Sequence, residues 1–150
     1  MIFVSLASYR DPELLQTIQS CIDNADNPQD IVFGIYSQVA EGEHPDLSEF
    51  NTREIVVPHT EAQGAGYARS RVQELYQDEE WFMQVDSHTL FTPHWDTKLI
   101  AWQDEIFYDR PLITGWAAPY CYVDGEIVYD RHEDHAWEWV PHTTVARSFK

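Results

Sequence analysis

Short apolar runs alternate with helical patterns along the first hundred residues. The runs typical of strands are residues 2–6, 31–36, 53–57 and 81–85. Helical spacing is found from Pro12 to Ile22, with Asp11 as the predicted N-cap, and again from residue 61 to 75. Because the strands are apolar without alternation and are separated by helices, they predict a mostly parallel sheet covered on both faces. The predicted fold is therefore α/β and Rossmann-like, a class in which ligands bind beyond the carboxyl ends of the strands.

The pattern changes after residue 90. Pro93 is expected to start a helix that includes Trp95, and residues 112–117 predict a further strand. Asp124-Gly125 lies between two apolar runs and predicts a type I′ hairpin. Residues 130–150 are dense in histidine, tryptophan and acidic residues, and no element is predicted there.

Composition limits the class of protein and of partner. A chain of 150 residues with 43% hydrophobic residues predicts one globular domain. The net charge of -17 excludes broad electrostatic binding to nucleic acid or to an anionic membrane. No basic leader and no long apolar span is visible, so we expect a cytoplasmic protein. Cys21 and Cys121 have no CxxC spacing, and they predict two buried thiols in a reducing compartment.

The predicted strand at 81–85 ends in Asp86-Ser-His88, which carries the first candidate chemistry. Alternate residues at a strand end project to one side, so Asp86 and His88 are expected to point together into the crevice above the sheet. A carboxylate with an imidazole suits Mn²⁺ or Mg²⁺, with positions left for phosphate oxygens. Such an ion would offset the charge of a diphosphate in this acidic protein. The competing interpretation is a capped turn with a surface or core histidine.

Three segments together resemble a known family. They are FVSLASYRDPELLQTIQSC at the start, GAGYARSRVQELY in the middle and FMQVDSHTLFTPHWDTKLI around the motif. Over residues 1–100 the chain resembles the polypeptide N-acetylglucosaminyltransferases of glycosyltransferase family 60, which have the GT-A fold. The Asp-x-His form of the DXD motif is also similar to that of the polypeptide N-acetylgalactosaminyltransferases. The resemblance implies retaining, metal-dependent transfer from a UDP-sugar, above all UDP-GlcNAc, to a hydroxyl of a polypeptide or glycan acceptor.

The resemblance also implies residue roles. Asp86 and His88 would hold Mn²⁺ against the diphosphate, and Arg69 or Arg10 would stabilise the charge that develops on the leaving group. The residues expected beside the nucleotide are Ser8, Tyr9, Arg10, Asp11, Gly64 and Arg69, with Arg71 as a further candidate.

Several of these residues have a second interpretation. Arg10 would equally pair with a neighbouring acid on the helix surface. Gly64 belongs to a GxG that is common at simple helix starts. Trp95 at helical spacing is more often a core residue than a sugar contact. The tail histidines His132, His135 and His142 would supply a further metal ligand or bind the acceptor, while a solvated polar segment is the simpler account.

The second part of the chain departs from the family pattern. Residues 1–100 are expected to form the nucleotide-sugar half, whereas the acceptor side in 101–150 looks incomplete or divergent. Two alternatives to transfer therefore stay open. One is a truncated GT-A module that binds a nucleotide sugar or glycan without transfer, or that completes its site only as a homo-oligomer. The other is a metal-dependent hydrolase in which Asp86 and His88 activate water.

Overall fold

The computed structural model describes residues 1–106, 112–115, 119–129 and 142–144. It divides into two compact units, Met1–Lys98 and Leu99–Lys150. The strands are β1 (Ile2–Tyr9), β2 (Ile31–Val39), β3 (Thr52–Pro58), β4 (Trp81–Asp86), β5 (Leu112–Thr114), β6 (Tyr120–Val123), β7 (Glu126–Tyr129) and β8 (His142–Thr144). The helices are α1 (Leu14–Asp23), α2 (Ala65–Gln73) and α3 (Trp95–Glu105), with 3₁₀ turns at Pro28–Asp30 and His59–Glu61.

The first four strands form one parallel sheet in the order β3-β2-β1-β4. Ile2 pairs with Ile31 on one side and with Trp81 on the other, so both neighbours of β1 run in register with it. The crossover through α1 leads from β1 to β2, and the crossover through α2 leads back from β3 to β4. Right-handed crossovers in opposite directions place their helices on opposite faces of a sheet. The predicted α/β architecture is confirmed.

The face of the sheet under α2 carries an aromatic core. Phe3, Val32, Tyr36, Ala68 and Val72 form one buried cluster between the sheet and α2. On β2, residue 34 is a glycine because a Cβ there would lie 2.0 Å from Cζ of Phe3. The Phe3 ring fills the space that a side chain on β2 would otherwise take.

β4 lies at the edge of this four-stranded sheet and is less buried than its apolar sequence predicts. Its residues alternate between half-buried and exposed, and Phe82 is 44% exposed. The inner strands β1 and β2 are buried on both faces. The prediction that the strands are buried on both faces is therefore confirmed for β1 and β2. It is wrong for β4, because α2 packs on β1 and β2.

Helices α1 and α2 begin later than the sequence predicts. α2 starts at Ala65 because Gly64 has φ 88° and ψ 168°, which is outside the helical region. α1 starts at Leu14, and Asp11 does not act as its N-cap. Instead the Asp11 Oδ1 atom accepts a hydrogen bond from the backbone N–H of Glu13 at 2.9 Å, and its other oxygen turns toward the segment after β4.

The second unit contains two small antiparallel pairs. β5 pairs with β8, and β6 pairs with β7. The β6–β7 turn has φ 53° at Asp124 and φ 86° at Gly125, as the predicted type I′ turn requires. Cys121 lies exposed in β6, whereas Cys21 is buried in α1, so the prediction of two buried thiols is wrong for Cys121. Among the described helices, none has the length and apolar character needed to cross a bilayer.

Candidate functional site

The candidate site lies where β1 and β4 end side by side. Ala7 pairs with Asp86 in the sheet, so the segments that follow the two strands leave the same edge together. The chain turns from β1 to β2 in one direction, while β4 lies on the other side of β1. This is the topological switch point at which open α/β sheets bind their ligands.

A cavity of about 320 Å³ opens at this edge, on the face that carries α2. Small residues form much of its wall, among them Ala7, Ala65 and Ala68. Gly64 lies at the start of α2, in a backbone conformation that is essentially restricted to glycine. Because the wall residues are small, ligand atoms can approach the sheet and the start of α2 closely. The predicted nucleotide residues Tyr9 and Gly64 both line this cavity.

Arg69 and Asp86 form the charged part of the cavity wall. The Nη2 atom of Arg69 donates a hydrogen bond to Oδ1 of Asp86 at 2.9 Å. Both side chains remain accessible, at 41% for Arg69 and 60% for Asp86. The structure thus brings together a predicted metal ligand and a cation predicted to stabilise the leaving group.

Asp11, Ser87 and His88 form a second polar group beside the first. Oδ2 of Asp11 accepts a hydrogen bond from the Ser87 hydroxyl at 2.7 Å and lies 2.8 Å from Nδ1 of His88. Burial by itself raises the pKa of Asp11, but the hydrogen bonds from His88, Ser87 and the Glu13 backbone outweigh it and lower that pKa. The hydrogen bond to Asp11 also raises the pKa of His88, and the charge of nearby Asp86 adds to this effect.

The geometric reason for expecting Asp86 and His88 on one side is wrong. β4 ends at Asp86, and Ser87 and His88 lie in the following turn, so strand alternation does not align them. The turn is held by Thr17 of α1. Its hydroxyl donates to the carbonyl of Ser87 at 2.8 Å and accepts from the backbone N–H of Thr89 at 3.0 Å. Asp86 consequently pairs with Arg69, while His88 pairs with Asp11.

Four residues predicted beside the nucleotide do not line the cavity: Ser8, Arg10, Asp11 and Arg71, of which Arg71 donates a hydrogen bond to Glu74. Ser8 is 1% exposed and pairs with Ser37 in the sheet; it lies on the face opposite Ala7 and Tyr9 and is outside the cavity wall. Arg10 is engaged by Glu43, with Nε 2.9 Å from Oε2. This ion pair lowers the pKa of Glu43 to about 2. The expected surface pairing of Arg10 thus exists, but with an acid in the loop after β2 and not with a helix neighbour.

Sequence reasoning missed Gln38, Ser87 and Thr17. Gln38 is 3% exposed, lines the cavity and has no hydrogen-bond partner for Oε1. It is the second-last residue of β2 and pairs with Tyr9, so the rule that parallel strands end at one edge would have found it. Ser87 belongs to the Asp86-Ser-His88 motif and could have been considered from the sequence. Thr17 lies far from this motif in the chain, and only the structure shows its contact with the turn.

The residues after the motif have structural contacts. Trp95 is buried, and its Nε1 donates to the carbonyl of Cys21 at 2.8 Å, which confirms the core interpretation. Asp96 is also buried and accepts the backbone N–H groups of Asp26 and Asn27. His132 and His135 lie outside the described residues, and of His142 only the backbone in β8 is described.

Asp86 and His88 carry donor groups of the kinds that can bind a divalent ion. Asp86 and His88 supply one carboxylate and one imidazole, both largely accessible. In the described part of the chain, no group of three or more potential ligands from His, Cys, Asp and Glu is found. A Mn²⁺ or Mg²⁺ ion that keeps water and phosphate oxygens in its other positions is compatible with two protein ligands.

Comparison with models of protein families identifies the family of the chain. The sequence model of the family described as Glycosyltransferase (GlcNAc) matches residues 1–52 and 46–137. The chain belongs to this family. The match of this glycosyltransferase to the family extends to residue 137, into the region that was expected to be incomplete or divergent. Searches of curated proteins and of solved structures gave no match.

Proposed function

We propose that this glycosyltransferase moves GlcNAc from UDP-GlcNAc to a hydroxyl of a polypeptide or related acceptor, with retention of configuration and with Mn²⁺ or Mg²⁺. The observation that carries the proposal is the contact of Arg69 with Asp86 in the cavity wall at the switch point of the sheet, in a chain of the GlcNAc glycosyltransferase family. The cavity beside them is the proposed nucleotide site, and we propose a cytoplasmic location.

Charge explains why each group is needed. A protein of net charge -17 repels a diphosphate, so local positive charge has to supply the attraction. Arg69 is a cation of the cavity wall and presents a planar guanidinium that suits phosphate oxygens. Asp86 and His88 would hold the divalent ion, which when bound neutralises charge on the diphosphate and on the departing UDP.

The chain's own residues then have separate tasks. Arg69 exchanges part of its contact with Asp86 for the diphosphate and stabilises the charge that develops on the leaving group. Gly64 and the alanines of the wall admit the nucleotide close to the backbone. Tyr9, 55% exposed at the end of β1, offers a ring face to the base.

Calorimetric titration with UDP-GlcNAc tests the donor site. The wild-type protein should bind in the presence of Mn²⁺ and lose binding in EDTA, and Asp86→Ala should bind at least tenfold more weakly. Asp30→Ala is the matched control, since Asp30 immediately precedes β2 and therefore lies at the amino-terminal end of that strand, away from the cavity. Equal affinity of Asp86→Ala and wild type would show that the site is wrongly assigned.

The reaction is tested separately with Ser/Thr and hydroxyproline peptides. Mass spectrometry should detect a peptide that carries one added N-acetylhexosamine. Release of free GlcNAc at the same rate with and without peptide would favour the hydrolase, and binding without either product would favour a module without transfer.

A further inference from the structure

Asp11, Ser87 and His88 form a hydrogen-bonded cluster after the ends of β1 and β4. We infer that Asp11 is a positioning residue, which holds the imidazole of His88 with its proton on Nδ1 so that Nε2 is the nitrogen offered to a divalent ion. This inference rests on the proposed metal-dependent function. It also reassigns Asp11, which the sequence analysis placed beside the nucleotide.

The two oxygens of Asp11 have defined partners. Oδ1 accepts the backbone N–H of Glu13 at 2.9 Å, and Oδ2 accepts the Ser87 hydroxyl at 2.7 Å. The side chain of Asp11 is only 14% exposed. The carboxylate is therefore anchored both to the start of α1 and to the turn after β4, and its orientation does not depend on His88.

This anchoring decides the tautomer of His88. Nδ1 of His88 lies 2.8 Å from Oδ2 of Asp11. An ionised carboxylate only accepts hydrogen bonds, so the hydrogen atom between the two groups belongs to Nδ1. In a neutral ring with Nδ1 protonated, the lone pair is on Nε2. Histidines that bind metals generally donate their other ring nitrogen to a carboxylate or carbonyl group in this way.

The chain contains a second Asp–His pair that serves as a control. Nδ1 of His94 lies 2.6 Å from Oδ1 of Asp26, and the two side chains are 63% and 38% exposed. Its chemistry is the same, but Asp26 also accepts the hydroxyl of Thr97 and belongs to the segment between α1 and β2. Asp26→Asn replaces the carboxylate partner of His94 and leaves the candidate metal ligands untouched.

Asp11→Asn is the most informative substitution because it is expected to invert the tautomer. The Glu13 N–H requires an acceptor, so the carboxamide oxygen should remain there. The NH₂ group then faces His88 and donates to Nδ1, which moves the ring proton to Nε2. The new side chain has nearly the same shape as the old one, so the fold should persist.

The test combines two measurements on the full chain. Nitrogen NMR at a pH where the imidazoles are neutral reports the tautomer of His88, whose signals are assigned with His88→Ala. Electron paramagnetic resonance of Mn²⁺, with UDP present, reports the affinity for the ion. We expect an Nδ1-protonated ring in the wild type, an Nε2-protonated ring in Asp11→Asn, and Mn²⁺ affinity lowered by about tenfold to a hundredfold. Asp26→Asn should match the wild type in both measurements.

The outcomes separate this inference from the proposed function. An unchanged His88 tautomer in both Asp11→Asn and Asp11→Ala overturns the positioning role, whatever the affinity for the ion. An inverted tautomer with unchanged Mn²⁺ affinity overturns the claim that Nε2 is the ligand. A wild-type protein that binds no Mn²⁺ refutes the proposed metal centre and with it the purpose assigned to the tautomer, although the NMR spectra would still show whether Asp11 sets it.

Discussion

Replacement of Asp96 by alanine should destabilise the first unit by several kcal/mol without removing any group from the cavity. Asp96 is the second residue of α3 and is 1% exposed. Its two oxygens accept the backbone N–H groups of Asp26 and Asn27, each at 2.9 Å. The carboxylate thus ties the start of α3 to the segment that follows α1.

The magnitude follows from these contacts. A hydrogen bond to a charged group contributes about 1.5–3 kcal/mol, so two such bonds give about 3–6 kcal/mol in total. The cost of burying the carboxylate offsets part of this sum. We therefore expect the free energy of unfolding to fall by about 2–4 kcal/mol in Asp96→Ala. Asp96→Asn should lose most of the same amount, because its NH₂ group meets an N–H donor where an oxygen stood.

Chemical denaturation followed by tryptophan fluorescence measures the effect. Asp30→Ala, an exposed acid in the neighbouring 3₁₀ turn, is the control and should change stability by less than about 0.5 kcal/mol. Although burial raises the pKa of Asp96, the backbone hydrogen bonds from Asp26 and Asn27 lower it below the ordinary value of 3.8. The stabilisation is therefore complete above that value and is lost as the pH falls through the lower pKa of the folded state. A difference of less than about 0.5 kcal/mol between wild type and Asp96→Ala at pH 7 would refute this account.

Three further substitutions or reactions test other parts of the structure. Gly34→Ala should cost about 3 kcal/mol or more, because the added methyl group overlaps the buried ring of Phe3, and Phe3→Leu in the same chain should recover part of the loss in a denaturant titration. Gly64→Ala should cost about 1–3 kcal/mol through backbone strain alone, since a Cβ there meets no atom within 4 Å; an unchanged melting temperature would contradict the positive φ. In the native protein a thiol reagent should label Cys121 rapidly and Cys21 only after unfolding, because Cys21 is fully buried and its pKa is raised by that burial. Rapid labelling of both thiols would refute the placement of α1.

The candidate site shows where sequence reasoning works and where it fails. Asp86 and Arg69 were predicted as partners of one ligand, and the structure places them 2.9 Å apart. Such residues can be found because strand ends and the helix before β4 converge at one edge in any parallel sheet of this order. The family resemblance also placed Ser8 in the site, but Ser8 is buried on the face opposite Tyr9, because neighbouring residues of β1 point to opposite faces of the sheet.

The sequence by itself determined the strands of the sheet, their parallel direction and the turn at Asp124-Gly125. These features depend on apolar periodicity and on local backbone preferences, both of which are written into neighbouring residues. Only the tertiary structure decided that Asp11 faces His88, 77 positions away in the chain, and that Arg10 is held by Glu43. A hydrogen bond forms only when its atoms come within about 3 Å of each other. Which polar side chains meet at that distance depends on the packing of whole helices and strands, and no local pattern records it.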